Sequence, residues 1–174
     1  MHEIILPDAK PALEWINNRV VQKVSPQRKH ALAQMEFAVA LGTWARARGS
    51  GMAGSEWSFQ VQPPGEISRT LVPDVAYLSY ERMPAQELEA TETPRIAPDA
   101  VVEIRSPDDR QADIDEKVRV YQAAGTRVIF LVDPELRTVK VVDSRGERSV
   151  DHGHVGHEAL PGFSLAVRNL FELP

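Results

Sequence analysis

Two apolar segments separated by a helix-length segment constrain the fold of this chain most. DAVVEIR (residues 99–105) and RVIFLVD (residues 127–133) are both typical of buried strands. Between them, SPDDRQADIDEKVRVYQAAG has acids near its start and a glycine at its end, which predicts a helix. Because a strand, a helix and a strand in this order favour parallel pairing with a right-handed crossover, the pattern predicts an α/β sheet.

The remaining elements extend this unit to a mixed sheet. RVVQKVS (residues 19–25) predicts a short strand, and a helical period runs from Pro26 to Gly49 and Gly51. WSFQVQ and LVPDVAYLSY predict two strands, the second with Pro73 at a strand start or on an edge. Residues 81–98 predict a long loop, and TVKVVD the return strand of a hairpin after RVIFLVD. From residue 27 the predicted order is helix, three strands, helix, strand and hairpin return.

Each helix has an expected apolar side. For the first helix it is Leu32, Met35, Val39, Leu41 and Trp44. For the second helix it is Ile114, Val118 and Tyr121, with Ser106, Asp108 or Asp109 as the N-cap.

Composition predicts one globular domain over residues 1–174. Hydrophobic residues make up 43% of the chain and charged residues 26%. There are no cysteines, which excludes disulfides and thiolate metal sites and fits a cytoplasmic protein. We see no signal peptide and no membrane-spanning run. The net charge of −5 argues against a protein that coats nucleic acid non-specifically.

Two carboxylates stand inside otherwise apolar strands. Asp74 lies in LVPDVAY and Glu103 in VVEIRSP. Considered separately, Asp74 is interpreted as a solvated acid at a strand end, and Glu103 as one half of a buried ion pair with Arg105 or Lys117. If the strands are neighbours, the two carboxylates converge and require a cation between them. One or two carboxylates, completed by water and substrate phosphate, suit Mg²⁺ or Mn²⁺.

Lys117 is the third candidate site residue. It shares one helix side with Asp113 and Tyr121, so it forms either a surface pair with Asp113 or an ammonium directed at the strand ends. In the second case it stabilises charge on a phosphoryl group or orients the attacking water.

The ordered motifs resemble a known family. Pro73-Asp74, then Glu103 to Arg105, then a helix resemble the PD-(D/E)xK nuclease superfamily, whose core order is the one predicted here. More narrowly, the chain resembles the Uma-two family of restriction-endonuclease-like proteins. The matching stretches are ALEWINNRVVQKVSPQRKH, VPDVAYL, DAVVEIRSP, DIDEKVRVYQAAGTRVIFLVDP and LPGFSLAVRNLF.

The resemblance implies a restriction-endonuclease-like fold and a metal-dependent endonuclease acting on DNA. It implies Asp74 and Glu103 as ligands of Mg²⁺ or Mn²⁺. The superfamily's lysine position holds Arg105, which cannot act as a base, whereas the Uma-two pattern implies Lys117 in that role. Both stay candidates, and we prefer Lys117, because Arg105 lies on the same strand face as Glu103 and is expected to pair with it. Gln34 or Glu36 is either a further metal contact or a solvent-facing helix residue.

Other polar groups have ordinary interpretations. His152, His154 and His157 form either a zinc or nickel site or, as we expect, a solvated loop. His30 contacts the site or is simply a polar helix residue. QRKH and WARARG either line a DNA-facing rim or keep the protein soluble.

Three functions remain to be compared. The first is the metal-dependent DNA nuclease, expected to be a homodimer because cutting both strands often requires two subunits. The second is a non-catalytic binding module on a decayed nuclease fold, which the acidic charge and Arg105 favour. A cupin-like metal protein does not fit two helices. The first helix and the C-terminal LFELP are either interface or core pieces.

Overall fold

The computed structural model describes residues 3–23 and 27–173. Within these ranges the strands are β1 (Leu13–Ile16), β2 (Arg19–Gln22), β3 (Gly51–Ser55), β4 (Phe59–Val61), β5 (Arg69–Leu71), β6 (Val75–Ser79), β7 (Ala100–Ile104), β8 (Val128–Asp133), β9 (Thr138–Asp143), β10 (Gly146–Val150), β11 (His154–Val155) and β12 (Leu165–Ala166). The α-helices are α1 (Arg28–Arg48), α2 (Ala85–Glu89) and α3 (Gln111–Ala123), and a 3₁₀ helix covers Val167–Leu170. No helix in the described ranges has both the length and the apolar content needed to cross a membrane.

A six-stranded mixed sheet forms the centre of the molecule. Its strand order is β10-β9-β8-β7-β6-β3. β7 and β8 pair in parallel across α3, as the strand–helix–strand pattern predicts, and every other neighbouring pair in this sheet is antiparallel. The predicted mixed α/β fold is therefore confirmed.

The first of the three predicted strands is a different segment. WSFQVQ supplies β4, which pairs with β5 in a separate two-stranded sheet. The place next to β6 is taken by β3, GMAGS, whose glycines conceal its strand character in the sequence. β6 starts at Val75, so Pro73 precedes an interior strand rather than lying on an edge.

Both faces of the central sheet are covered. α1 packs on one face, where Phe37 lies 5.4 Å from Phe130 between ring centroids. Val120 and Tyr121 of α3 pack on the other face, against residues of β6 to β8 such as Ala76. A charged group at the end of these strands therefore lies beside a helix rather than in open water.

The buried side of α1 differs from the expected one. It consists of His30, Ala33, Phe37, Leu41 and Ala45. Met35 and Val39 are 65% and 57% exposed, so placing them on the buried side was wrong. The two alanines allow close approach to the sheet, and a scale that favours large apolar residues overlooks such positions.

α3 starts later than predicted. Arg110 occupies the N-cap position without a side-chain cap, and Asp109 instead accepts a hydrogen bond from the Ser106 backbone in the preceding turn. The expected caps were therefore wrong. On the buried side of α3, Tyr121 lies where predicted, while Ile114 and Val118 are half-buried.

One segment near the N-terminus and one in the middle of the chain contain more secondary structure than predicted. RVVQ is a strand as predicted, but it is the second strand of a β1–β2 hairpin turning at Asn17 and Asn18. Both asparagines have positive φ angles of 49° and 57°, the pattern of a two-residue hairpin turn. Residues 24–26, at the end of that prediction, lie outside the described residues. The expected loop at 81–98 contains the short helix α2.

Candidate active site

Asp74 and Glu103 lie at the ends of two neighbouring strands. β6 and β7 are antiparallel with Val75 opposite Val102. One step further in the same register places Asp74 opposite Glu103, and opposite residues in an antiparallel pair point to the same face. That face is the one covered by α3. The register therefore makes Asp74 and Glu103 neighbours at the strand ends, while the convergence of their carboxylates on one ion stays a prediction.

Asp74 is almost fully buried, and its carboxylate contacts several donor groups. Its Oδ1 lies 2.6 Å from Lys23 Nζ. Its Oδ2 accepts a 2.6 Å hydrogen bond from the Ile104 backbone N–H and lies 3.3 Å from His30 Nε2. The Ile104 bond ties the carboxylate to β7 one residue after Glu103. Asp74 is therefore a fixed buried anion, which excludes its interpretation as a solvated strand-end acid.

Lys117 lies under the strand ends, between two carboxylates. Its Nζ is 2.6 Å from Glu103 Oε2 and 2.9 Å from Glu14 Oε1. Tyr121, one turn further along α3, donates its hydroxyl to Glu103 Oε1 at 3.3 Å. The alternative of a surface pair with Asp113 is wrong, because Asp113 instead binds Arg19 and Asn17 of the hairpin.

Glu14 anchors the hairpin to this arrangement. Besides contacting Lys117, its Oε1 accepts a 2.8 Å hydrogen bond from the Val72 backbone N–H. We call the five side chains the acid–lysine cluster: Glu14, Lys23, Asp74, Glu103 and Lys117. Three carboxylates face two ammonium groups, so the fully ionised cluster has one negative charge in excess.

The pKa values of the cluster reflect burial and the mutual effects of its charges. Burial raises the pKa of Glu103 to about 8, and the repulsion of Asp74 and Glu14 adds to it, while Lys117 opposes the shift. Burial alone would lower the pKa of Lys117, but Glu103, Glu14 and Asp74 raise it well above the usual range. Burial also opposes ionisation of Asp74, yet Lys23 and His30 hold its pKa well below normal.

The pKa of Lys23 is raised by the same kind of interaction as that of Lys117. Burial would lower its pKa, but the attraction of Asp74 and the other acids raises it. The raised pKa values keep both lysines of the cluster protonated at neutral pH, where neither is suited to act as a general base.

Arg105 lies outside the cluster. Its side chain is 43% exposed, and its Nη1 is 3.7 Å from Asp133 Oδ2. The expected pair between Arg105 and Glu103 was therefore wrong, since Glu103 contacts Lys117 and Tyr121. Of the two candidate cations, Lys117 lies beside the acid pair.

Gln34 positions the site from α1. Its Nε2 donates to the Asp74 backbone carbonyl and to Glu56 Oε1, both at 3.0 Å. Glu36 is half-buried two positions later and contacts none of the cluster residues. A solvent-facing role for Gln34 was wrong, because it fixes the backbone at Asp74.

The histidines of DHGHVGHE do not come together. The His152 side chain is 93% exposed and contacts Asp151, and His154 is exposed on β11. The His157 side chain is only 8% exposed: its Nε2 is 2.9 Å from Asp143 Oδ2, and its Nδ1 accepts a hydrogen bond from the Ala159 N–H. His157 therefore stabilises the loop, and the expectation of a wholly solvated loop holds for the other two.

The basic segments lie at opposite ends of α1. His30 and Lys29 are near the cluster end, where Lys29 Nζ is 2.8 Å from Glu135. Arg46 lies 16 residues after His30, which corresponds to roughly 24 Å along a helix. WARARG therefore cannot form a rim of the cluster. At the C-terminus, Leu170 is core and Leu173 is 71% exposed.

The donor set fits a divalent ion of the magnesium type. Residues 3–23 and 27–173 contain no group of three or more His, Cys, Asp or Glu side chains arranged to hold an ion by themselves. Mg²⁺ needs no such cage, because it takes one or two carboxylates and keeps water and substrate phosphate at its other positions. Asp74 and Glu103 supply the two carboxyl groups, and the lowered pKa of Asp74 keeps its carboxylate ionised.

Glu14 and Lys23 were not identified from the sequence. Glu14 interrupts LEWI as Glu103 interrupts VVEI, so an acid in a short apolar strand was the available signal. Lys23 lies in a polar stretch between the strand and α1, and nothing in its neighbours distinguishes it from a surface lysine.

Comparisons with known proteins agree with this fold. The family model described as "Uma2: Putative restriction endonuclease" matches residues 2–168. A solved structure, titled as a "putative nuclease belonging to DUF820 from Anabaena variabilis ATCC 29413", superposes with a TM-score of 0.84 at 27% identity, covering 95% of this chain and 93% of that one. No curated protein matches the chain. Because the family model spans nearly the whole sequence, this protein belongs to the Uma2 (Uma-two) family of restriction-endonuclease-like proteins.

Proposed function

We propose that the protein is an endonuclease that hydrolyses DNA phosphodiester bonds with Mg²⁺ or Mn²⁺ held by Asp74 and Glu103. The observation that supports the proposal is the register of β6 and β7, in which Asp74 and Glu103 are neighbours, together with the 2.6 Å contact between Glu103 and the Lys117 ammonium. Family membership and the nuclease-titled neighbour support the same class of reaction.

The protein side chains have distinct roles in this reaction. Asp74 and Glu103 would hold the ion, which would supply polarisation of the scissile phosphate and a lower pKa of a bound water. Asp74 is held rigid by the Ile104 N–H and by Gln34 below its backbone, so it fixes the ion's position. Glu103, oriented by Lys117 and Tyr121, supplies the second carboxylate.

Lys117 acts as a fixed positive charge. Its pKa is raised by Glu103 and Glu14, so it keeps its proton during the reaction. It therefore stabilises the negative charge that develops on the phosphoryl oxygens, as a preorganised electrostatic group. Arg105, partly exposed at the end of β7, is placed to contact the DNA backbone outside the reacting group.

A non-catalytic binding module is the second candidate. Lys23 and Lys117 already neutralise most of the cluster's negative charge, as in a structural ion-pair network. In that case the cluster stabilises the hairpin against the sheet, and the protein binds nucleic acid or another protein without cleaving it.

Plasmid nicking distinguishes the two candidates. Supercoiled DNA is incubated with the wild-type protein, Glu103→Gln and Glu147→Gln in Mg²⁺, Mn²⁺ or EDTA. Glu147 is an exposed acid paired with Lys140 and serves as the matched control. The nuclease predicts nicking by wild type and control, with loss in EDTA and in Glu103→Gln. Equal nicking by all three would identify a contaminant, and absence of nicking with intact DNA binding would support the binding module.

Assembly is tested in the same preparation. We propose a homodimer, because one site cuts one strand and a double-strand break requires two. Light scattering after gel filtration should then give twice the chain mass of 19.4 kDa. Linear product from a protein that stays monomeric at assay concentration would contradict the homodimer.

A further inference from the structure

Lys23 occupies a position built from oxygen atoms. Its Nζ lies 2.6 Å from Asp74 Oδ1, 2.9 Å from the Val72 carbonyl oxygen and 3.2 Å from Glu56 Oε1. A carboxylate, a carbonyl and a second carboxylate are the oxygen types that hard divalent cations take from proteins. The ammonium group therefore sits where a cation is favoured.

The oxygen that Lys23 contacts is the one an ion would need. Asp74 Oδ2 is already used by the Ile104 N–H at 2.6 Å and by His30 at 3.3 Å. Oδ1 is contacted by Lys23. The hydrogen bond from the Ile104 N–H to Oδ2 joins the ends of β6 and β7. The Lys23 contact with Oδ1 can therefore be broken without disturbing the sheet.

Glu56 offers Lys23 a second partner at the rim of the site. Its side chain is 46% exposed, whereas that of Asp74 is 3% exposed. Gln34 Nε2 donates to Glu56 Oε1 at 3.0 Å and holds this carboxylate within reach. An ammonium that leaves Asp74 can therefore stay paired with Glu56, which lowers the free energy cost of leaving.

We propose that Lys23 is a displaceable counter-cation: it neutralises Asp74 when no divalent ion is bound and moves to Glu56 when an ion takes Asp74 Oδ1. The proposal rests on the metal site of the proposed function and adds a competitor to it. Lys117 has a different role, because it keeps Glu14 as a partner when an ion binds Glu103.

Calorimetric Mn²⁺ titration tests the competition. The proteins are the wild type, Lys23→Gln, Asp74→Asn and Lys29→Gln. Lys29 is a matched control, since its side chain is 50% exposed and paired with Glu135 outside the cluster. Removing a charge-assisted hydrogen bond that competes with the ion should tighten Mn²⁺ binding by Lys23→Gln about tenfold or more. Lys29→Gln should bind as the wild type does, and Asp74→Asn should lose binding.

Lysine acylation followed by mass spectrometry tests the movement in the wild-type protein. With EDTA, Lys23 should react slowly with an acetyl-succinimidyl ester, because its amine is buried against Asp74. Saturating Mn²⁺ should raise its labelling several-fold. Lys29 and Lys140, both exposed, serve as internal references whose labelling should not change.

The outcomes separate the two proposals. Mn²⁺ binding by Lys23→Gln alone, or much tighter than by the wild type, supports the counter-cation. Equal affinity of Lys23→Gln and wild type, or unchanged Lys23 labelling at saturating Mn²⁺, overturns it while leaving the metal site intact. If no variant binds Mn²⁺, the metal site and the counter-cation are both wrong.

Discussion

Replacing Lys117 by methionine should strongly destabilise the protein. The ammonium group is shared by Glu103 at 2.6 Å and Glu14 at 2.9 Å, and the three side chains are between 5% and 13% exposed. Methionine retains most of the apolar stem, so the main loss is electrostatic. Removing one partner of a buried ion pair costs about 3–5 kcal/mol, because the other charge is left uncompensated.

The cost should depend on pH in a defined direction. Without Lys117, whose attraction opposes the upward shift, the folded-state pKa of Glu103 rises further above that of the unfolded chain. The folded variant then binds more protons than the unfolded chain, so its free energy of unfolding falls as pH increases. Because the wild-type Glu103 pKa is already about 8, the two folded proteins differ in Glu103 protonation only near and above that pH, so the difference between wild type and Lys117→Met should be larger at pH 9.5 than at pH 7.

Urea unfolding followed by circular dichroism at pH 7 and pH 9.5, in EDTA, measures this difference. Lys29→Met removes an exposed pair with Glu135 and should cost about 0–1 kcal/mol. If Lys117→Met does not fold, adding Glu14→Gln and Glu103→Gln should restore folding by removing the uncompensated charges. A loss below about 1 kcal/mol at pH 9.5, or an equal loss at both pH values, would refute the buried ion network.

Three further predictions follow from the same contacts. Because the pKa of Glu103 is raised on folding, the wild type's free energy of unfolding, measured in EDTA, should decline as pH rises from 4.5 to about 8. Glu103→Gln should flatten this decline. An unchanged slope in the variant would contradict the raised pKa of Glu103. Phe37→Ala should cost about 3–5 kcal/mol in urea unfolding, whereas Met35→Ala, at a position 65% exposed, should cost almost nothing, and similar costs would contradict the assigned buried side of α1. Arg105→Ala should weaken DNA binding in a salt-dependent manner but preserve the cleavage rate at saturating DNA, and loss of that rate would place Arg105 among the reacting groups.

Much of the fold could be predicted because local patterns and topology rules point to the same structure. The pair DAVVEIR and RVIFLVD, with a helix between them, predicts parallel β7 and β8. β3 was missed because GMAGS contains two glycines and a serine, and its strand character comes from pairing with β6. Tertiary pairing, rather than local propensity, decides such a segment.

Some residues of the candidate site could be predicted from the sequence, and others could not. Asp74, Glu103 and Lys117 could be identified because a charge inside an apolar strand or on a packed helix side has a high cost unless it is paired. Glu14 and Lys23 reach the cluster through the β1–β2 hairpin, which folds over the ends of other strands. The path of that hairpin depends on contacts between residues more than 50 positions apart, such as Glu14 with Val72, which a short sequence window does not contain.

The central claim is that Asp74 and Glu103 together bind one divalent ion. Anomalous diffraction from crystals grown with Mn²⁺ tests it most directly, because the signal locates the ion without any assumption about activity. The account predicts one strong peak within bonding distance of both carboxylates, with Lys23 turned toward Glu56. A peak elsewhere, such as beside His157 and Asp143, or none at the cluster at saturating Mn²⁺, would contradict it.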